Sequence, residues 1–496
     1  MSSVVKESKL LAKHTLIYGA GTVINSIVAF LLLPIYTRYL TPNDYGVKEL
    51  IGLTTDVIGI LMATAISSAI YRFYFEYDDE KNRNEVISTA IIGLGTAGLL
   101  ALALLSLLTR PMARYIIDAP ELYYYFNISL VSMWFYSIND IGFNYLRARQ
   151  QSILFVALSV LRLIMVIALN VYFIVFLGIG VLGILWSTLV VAVITTCILI
   201  IPIMYKVGVV FDKKKIKNML RFGLPLIPSQ LGAFIVHLSD RFFIKGYCSI
   251  ADAGLYSLGY RFGTIPSDFV SVPFNQVWQP RRLELYKQPD SEELFGKIFT
   301  YYLALITFVG LGIAVLTKDL IMIIADKKFW SAYQIVPIIV LANIVFTLHY
   351  HFNIGIIIQK KTKYLAYINL SNGMLVLGLN FLLIPTYGVF GAAYATLIAF
   401  IYKVSLTYYL SRKFYKVHFE VVRIVKIVGS AILLFMSCSM LNLGNIYASF
   451  MAKSFLIMWY PLVLLIMGFY TKEEKKMVVA FIRQVISTRV SNGRQY

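Results

Sequence analysis

From Leu16 almost to the C-terminus, the sequence returns repeatedly to apolar stretches of roughly 20 residues, the length at which an α-helix crosses about 30 Å of hydrocarbon. Inside a bilayer the backbone has no water to bond, so such stretches must satisfy their own amides and carbonyls as helices. About fourteen spans can be read in this way. Only 14% of the residues are charged and 59% are hydrophobic, whereas soluble domains carry about 25% charge. No soluble domain of useful size fits between the spans. The expected fold is therefore all-α, a polytopic integral membrane protein. The first stretch, Leu16 to Leu33, follows Lys6, Lys9 and Lys13 and runs into Pro34-Ile35-Tyr36-Thr37-Arg38. It is longer than a signal-peptide core and lacks a small-residue cleavage pattern, so it reads as a retained span.

A formal charge of +20 invites a nucleic-acid reading, but the placement of the charge argues against it. With the N-terminus in the cytoplasm, the basic residues gather in alternate loops, as the positive-inside rule requires. Those loops hold Lys81 and Arg83, Arg147 and Arg149, Lys213 to Lys217, Arg281 and Arg282, Lys360 to Lys363, and Arg412 to Lys416. The excess is topological, no nucleic acid is expected, and an even span count puts both termini in the cytoplasm. Residues 472–496 differ. Met477, Val478, Phe481, Ile482, Val485 and Ile486 mark one helical face, with Lys475, Lys476 and Arg483 elsewhere. That pattern suits a helix lying on anionic lipids of the inner leaflet. Cys197, Cys248 and Cys438 are too dispersed to suggest a metal site or a disulfide framework.

Three local matches recur at nearly one offset. Asp44-Tyr45-Gly46 returns as Asp252-Ala253-Gly254, 208 positions later. Gly180-Val181-Leu182-Gly183 returns as Gly388-Val389-Phe390-Gly391 at the same offset, and Phe143-Asn144 with Gln150 returns as Phe352-Asn353 with Gln359 at 209. Residues 1–210 and 211–420 are therefore read as homologous six-helix lobes. The even number of spans in each makes them parallel repeats around a central cavity. Residues 421–471 hold two additional spans and 472–496 the tail.

The segment Leu33-Pro34-Ile35-Tyr36-Thr37-Arg38-Tyr39-Leu40-Thr41-Pro42-Asn43-Asp44-Tyr45-Gly46 resembles the first-loop signature of Wzx-type polysaccharide transporters, within the multidrug/oligosaccharidyl-lipid/polysaccharide exporter (MOP) superfamily. Span order, duplication and Arg72 after span two extend the resemblance over nearly the whole chain. It implies flipping of an undecaprenyl-diphosphate-linked oligosaccharide, such as an O-antigen, capsule or exopolysaccharide repeat unit, across a bacterial cytoplasmic membrane by alternating access. It also implies polysaccharide polymerases or glycosyltransferases as partners. Many such transporters have twelve spans. Fourteen occur in the related lipid II flippases, which keeps peptidoglycan-precursor flipping open.

A flippase must shelter sugar and diphosphate while the lipid tail stays in the bilayer, so its cleft needs cations and hydrogen-bonding groups. Ionisable groups within spans are costly and face the protein interior. Arg261 is the first candidate for diphosphate contact and Arg241 the second, because a guanidinium grips phosphate with paired donors. Arg162, His237 and Lys403 are further cavity candidates. Interfacial snorkelling competes for Arg241 and Lys403. Asp56, Asp140 and Asp268 are candidates for coupling to H⁺ or Na⁺. Arg72 and Arg281 end corresponding spans on the cytoplasmic side, where a clamp for arriving diphosphate competes with plain topology.

No Gly-x-x-x-x-Gly-Lys-Ser/Thr phosphate cradle is present, so energy is expected from an ion gradient or product consumption, with no cofactor and no metal. Gly93-Leu94-Gly95-Thr96-Ala97-Gly98 lies within a span without a preceding strand and reads as close helix packing. Asp44 and Asp252 read as helix caps. Pro225, Pro228, Pro266, Pro273 and Pro280 are expected to bend spans seven and eight. The rivals to a flippase are a cation-coupled drug exporter of the same superfamily and a membrane polysaccharide polymerase or ligase. The latter would need a sizeable catalytic loop or an acid/base pair at one interface, and neither stands out, so no enzyme is expected.

Overall fold

A computed structural model describes residues 31–441, 443–472 and 474, and they fold almost entirely as helix, with no strand among them. Most of the first span and of the expected amphipathic tail lie outside the described residues. The first lobe runs through α1 (Leu33–Tyr39), α2 (Pro42–Ser67), α3 (Ile70–Glu76), α4 (Glu80–Ser106), α5 (Thr109–Ile116), α6 (Tyr123–Ala148), α7 (Ser152–Asn170) and α8 (Gly180–Val207). Three helices, α9 (Lys213–Gly223), α10 (Ile227–Leu238) and α11 (Asp240–Tyr247), form one broken rod, followed by α12 (Ile250–Gly263) and α13 (Val272–Leu285). The second lobe continues with α14 (Ser291–Ile324), α15 (Val336–Phe352), α16 (Ile354–Ile358) and α17 (Lys363–Arg412). Last come α18 (Val421–Met440), α19 (Ile446–Met458) and α20 (Tyr460–Ile466).

Ten stretches of the described residues are long and apolar enough to cross a membrane. Helix α17 holds two spans. Its helix breaks at Gly388, whose φ is 56°, and its two ends lie together, with Tyr364 and Phe414 ring centroids 5.6 Å apart. Adding α6, the α12–α13 rod and that second limb gives thirteen among the described residues, and the first expected span lies mostly outside them.

Positions paired by the expected repeat share backbone features. Gly180 and Gly388 share φ = +56°, a left-handed turn that favours glycine, and each starts the last span of its lobe. The other connection repeats with left-handed residues Gln150 and Lys360, one residue away from the Gln150/Gln359 pairing expected from sequence. At both copies of Asp-x-Gly the cap is the hydroxyl residue three positions earlier, Thr41 and Ser249, in place of the aspartate expected from sequence. Asp44 accepts from the Thr41 amide at 2.9 Å while Thr41 Oγ1 accepts from the Asp44 amide. Ser249 Oγ likewise accepts from the Asp252 amide at 3.0 Å.

The glycines of these motifs bring the lobes together. A Cβ on Gly46 would lie 2.0 Å from the Ile250 carbonyl oxygen, and one on Gly254 would lie 2.4 Å from that of Pro42. Helices α2 and α12 thus touch backbone to backbone at their N-terminal ends, the small-residue contact that replaces the hydrophobic effect in lipid. The Gly93 to Gly98 segment also packs: the Trp134 indole N–H donates to the Gly95 carbonyl at 3.1 Å, and a Cβ on Gly98 would strike the same indole.

One expected boundary differs. Helix α9, placed by sequence in the second lobe, packs into the first. Met219 is fully buried in the cluster of Ile70, Ile87, Leu146 and Ile203, and Phe222 meets Phe73 edge to face at 6.2 Å. Lys215 Nζ reaches Glu85 Oε2 at 2.6 Å and Asn82 Oδ1 at 2.7 Å. The link before it is pinned as well, with the Val210 amide on Ser88 Oγ and the Asp212 amide on Thr89 Oγ1. The rod breaks after α9, at the 3₁₀ turn Leu224–Leu226 that contains Pro225. Further breaks fall at Ser239 and at the π-helical turn Ser267–Ser271 beside Pro266.

The last helices pack on α14, around Ile306, Leu311, Ile427, Leu434 and Ile457. A buried ion pair fixes them, Lys453 Nζ to Asp319 Oδ2 at 2.8 Å.

Candidate functional site

Helix α2 is the common wall. Below its glycine contact it lines a cavity of about 920 Å³, shared with α6, α7, α8 and α10, near the upper end of the usual 300–1,000 Å³ for ligand sites. Four of the residues singled out from sequence meet there: Asp56, Asp140, Arg162 and His237. Asp140 accepts from Asn144 Nδ2 at 3.2 Å. The Arg162 guanidinium lies 4.3 Å from the Tyr136 ring centroid, which orients a cation while leaving its donors free for a ligand. His237 packs its ring against Phe346 and Phe400 at 4.8 and 5.5 Å. Lys48 and Gln230 complete the polar set, and the hydroxyls of Thr55, Thr64, Ser129, Ser132, Ser137 and Thr188 spread over the wall. The Ser129 oxygen is buried without a partner.

The other candidates lie apart from this lining. Arg241, expected in the cavity, is 4% exposed and committed elsewhere. It pairs with Asp240 at 2.5 Å, donates to the His237 carbonyl, and stacks 4.0 Å from the Tyr260 ring centroid. The Tyr256 hydroxyl donates to the other carboxylate oxygen of Asp240 at 2.6 Å. Such a set reads as structural, because the buried guanidinium has its counter-charge in Asp240 beside it. Lys403 stands behind His237, its Nζ 4.6 Å from the same Phe346 ring. Asp268 sits in the π-helical turn, and among the described residues it makes no ion pair with Arg261.

Arg261 reaches across the lobes to Glu49 Oε1 at 3.3 Å, while Lys48 holds the same oxygen at 2.6 Å. Glu49 was missed from sequence because Lys48-Glu49 reads as a self-neutralised pair. The available signal was its seven-residue spacing from Asp56, which puts both carboxylates on one face of α2.

At the end of its span, Arg72 is exposed with its guanidinium 4.9 Å from the Phe222 ring. Arg281 is also exposed and pairs with Glu284. The buried arginine is its neighbour Arg282, 1% exposed, which donates to the Tyr350 carbonyl, to Asn353 Oδ1 at 2.9 Å and to Gln279 Oε1. Arg282 thus caps the C-terminal, negative end of α15.

The fold is that of MOP-superfamily transporters. A solved lipid II flippase MurJ in an inward closed conformation aligns with a TM-score of 0.71 at 15% identity, covering 96% of this chain and 100% of that one. An inward-facing multidrug resistance MATE family transporter aligns with a TM-score of 0.62 at 15% identity, covering 79% and 94%. The family model for polysaccharide biosynthesis proteins matches residues 11–285, more than half of the sequence, and the chain belongs to that family. It is 23% identical to the succinoglycan biosynthesis transport protein ExoT of Rhizobium meliloti over 245 residues, 49% of this chain and 47% of that protein. It is 26% identical to an uncharacterized membrane protein of Methanocaldococcus jannaschii over 212 residues, 40% of each chain. The chain thus spans less than half the length of these two relatives. The resemblance read from the first loop is borne out: this is a multi-pass membrane protein of the polysaccharide biosynthesis family.

Proposed function

We propose that the protein is a flippase that moves an undecaprenyl-diphosphate-linked oligosaccharide across a bacterial cytoplasmic membrane by alternating access, with both termini in the cytoplasm. The cavity wall carries the argument. Six hydroxyls, Gln230 and the charges of Lys48, Asp56, Asp140 and Arg162 surround a space of about 920 Å³. Those polar groups suit a hydroxylated, charged ligand, set as in other ligand sites into an otherwise apolar wall. Arg162 and Arg261 are assigned to glycan and diphosphate contact, and Asp56 and Asp140 to coupling with H⁺ or Na⁺. Lys403, Asp268, Arg72 and Arg281 support these roles from outside the lining. Glycosyltransferases and a polymerase would work upstream and downstream. A lipid II-type precursor is the second reading, favoured by the 96% coverage that includes the extra pair of helices.

The test is reconstitution in vesicles with a fluorescent undecaprenyl-diphosphate oligosaccharide and an impermeant quencher. Protein-dependent transfer that is reduced by Arg162→Ala is expected. Transfer of lipid II in preference to the oligosaccharide would establish the second reading. Transfer of neither, with export of a cationic dye, would overturn both.

A further inference from the structure

We propose that Glu49 is a built-in stand-in for the substrate's anion, so that a diphosphate reaching Arg261 displaces Glu49 and loosens the contact that closes the outer side. This rests on the proposed function and deepens it. Three observations carry it. The Arg261–Glu49 pair joins the lobes, since Arg261 lies on α12 and Glu49 on α2. Along α2, Glu49 is three residues beyond Gly46, whose backbone rests on Ile250. The pair is therefore within about 5 Å, one helical turn, of the glycine contact.

The second observation is the imbalance of the charges. Glu49 is held by Lys48 at 2.6 Å and by Arg261 at only 3.3 Å, longer than the 2.7–2.9 Å of strong charged bonds. If Arg261 leaves, Glu49 keeps a partner, so the separation orphans no buried carboxylate. The third is the state of Arg261 itself. Its side chain is 28% exposed, and among the described residues its guanidinium donates only this one side-chain bond. Two cations share one carboxylate, which leaves a net positive charge beside Lys48 on the cavity wall. A diphosphate offers several anionic oxygens to the guanidinium fork where Glu49 offers one. Bound substrate would then replace the cross-lobe bond with a bond to itself, leaving the outer closure to the Gly46 and Gly254 contacts and to Lys245, which reaches Asp118 at 2.7 Å.

The experiment uses the full chain in vesicles, with Cys197, Cys248 and Cys438 replaced by Ser and a reporter Ile250→Cys. Ile250 is buried at the contact itself, against Gly46 and in the cluster of Val47, Leu50 and Ile51. Labelling by an impermeant maleimide from the Lys245 side reads opening of that gate. Undecaprenyl diphosphate is the probe, with inorganic pyrophosphate and uncharged undecaprenol as comparison arms. Labelling should accelerate with undecaprenyl diphosphate, by roughly the 5- to 150-fold typical of coupled sites. A response to pyrophosphate as well would mean that the headgroup alone suffices. Glu49→Gln should label fast without ligand and bind the diphosphate more tightly, and Glu49→Asp should fall between. Slow labelling in Glu49→Gln, or weaker diphosphate binding, overturns the stand-in whatever is transported. Fast labelling in Glu49→Gln, with no response of the native Glu49 protein to diphosphate, overturns both the displacement and the proposed substrate.

Discussion

The pair Lys453–Asp319 ties the last two spans to the second lobe, and removing one member tests how a buried ion pair behaves in this bundle. Their side chains are 8% and 5% exposed at a separation of 2.8 Å. At an effective dielectric of about 20, the attraction at that distance is about 6 kcal/mol. Desolvation of the two ions costs several kcal/mol each, so the intact pair adds little net stability. Lys453→Met keeps the volume but leaves Asp319 unpaired, and should cost about 3–5 kcal/mol. The double variant Lys453→Met/Asp319→Leu removes both charges and should return most of that loss. The assay is reversible unfolding of the purified protein in mixed micelles, followed by circular dichroism. A single variant within about 0.5 kcal/mol of the parent, the range of featureless surface changes, would refute the reasoning. So would a double variant no more stable than the single one.

Gly254→Ala places a methyl 2.4 Å from the Pro42 carbonyl oxygen, so α2 and α12 must separate. A loss of about 1–3 kcal/mol is expected, together with faster maleimide labelling of the Ile250→Cys reporter. Arg282→Met removes the cap of α15 and leaves the Tyr350 carbonyl and Asn353 without their donor. Proteolysis or hydrogen exchange at residues 350–358 should rise, whereas Arg281→Met should leave that region unchanged. Asp212 caps α9, accepting from the Lys215 amide at 3.0 Å and the Lys214 amide at 2.7 Å, and these bonds hold its carboxyl below the usual aspartate range. Since the folded value lies below the unfolded one of about 3.9, its contribution is fully present above that pH. It fades as pH falls through the folded value. Asp212→Ala should shift the melting temperature downward at pH 7, and the difference from the parent should shrink below about pH 4.

Much of the fold was legible because lipid imposes simple rules. Span length, basic loops and the glycine turns at Gly180 and Gly388 each follow from a single physical requirement. Asp44 and Asp252 were legible as marks of helix N-termini, although the caps are Thr41 and Ser249. What escaped is three-dimensional phase. The π-helical turn Ser267–Ser271 inserts an extra residue into its helix, which shifts the phase between Arg261 and the residues after it. Arg281 was chosen as the counterpart of Arg72, and nothing in the sequence set it apart from its buried neighbour Arg282. Arg241 was misplaced because its partners, Asp240 and the rings of Tyr256 and Tyr260, converge only once α11 packs on α12. Glu49 was hidden by its lysine neighbour, and its second partner is 212 positions away.

The capture of α9 by the first lobe makes the two sequence halves unequal as bodies. One carries a helix that its own repeat unit did not contribute, and the other begins only after the turn at Leu224. Expressing the protein as two fragments severed near residue 210 would strip Met219 and Lys215 from their sockets, whereas severing it near 225 would leave each fragment with its own interior. The mechanical seam of this molecule therefore lies a helix downstream of the boundary expected from the repeat.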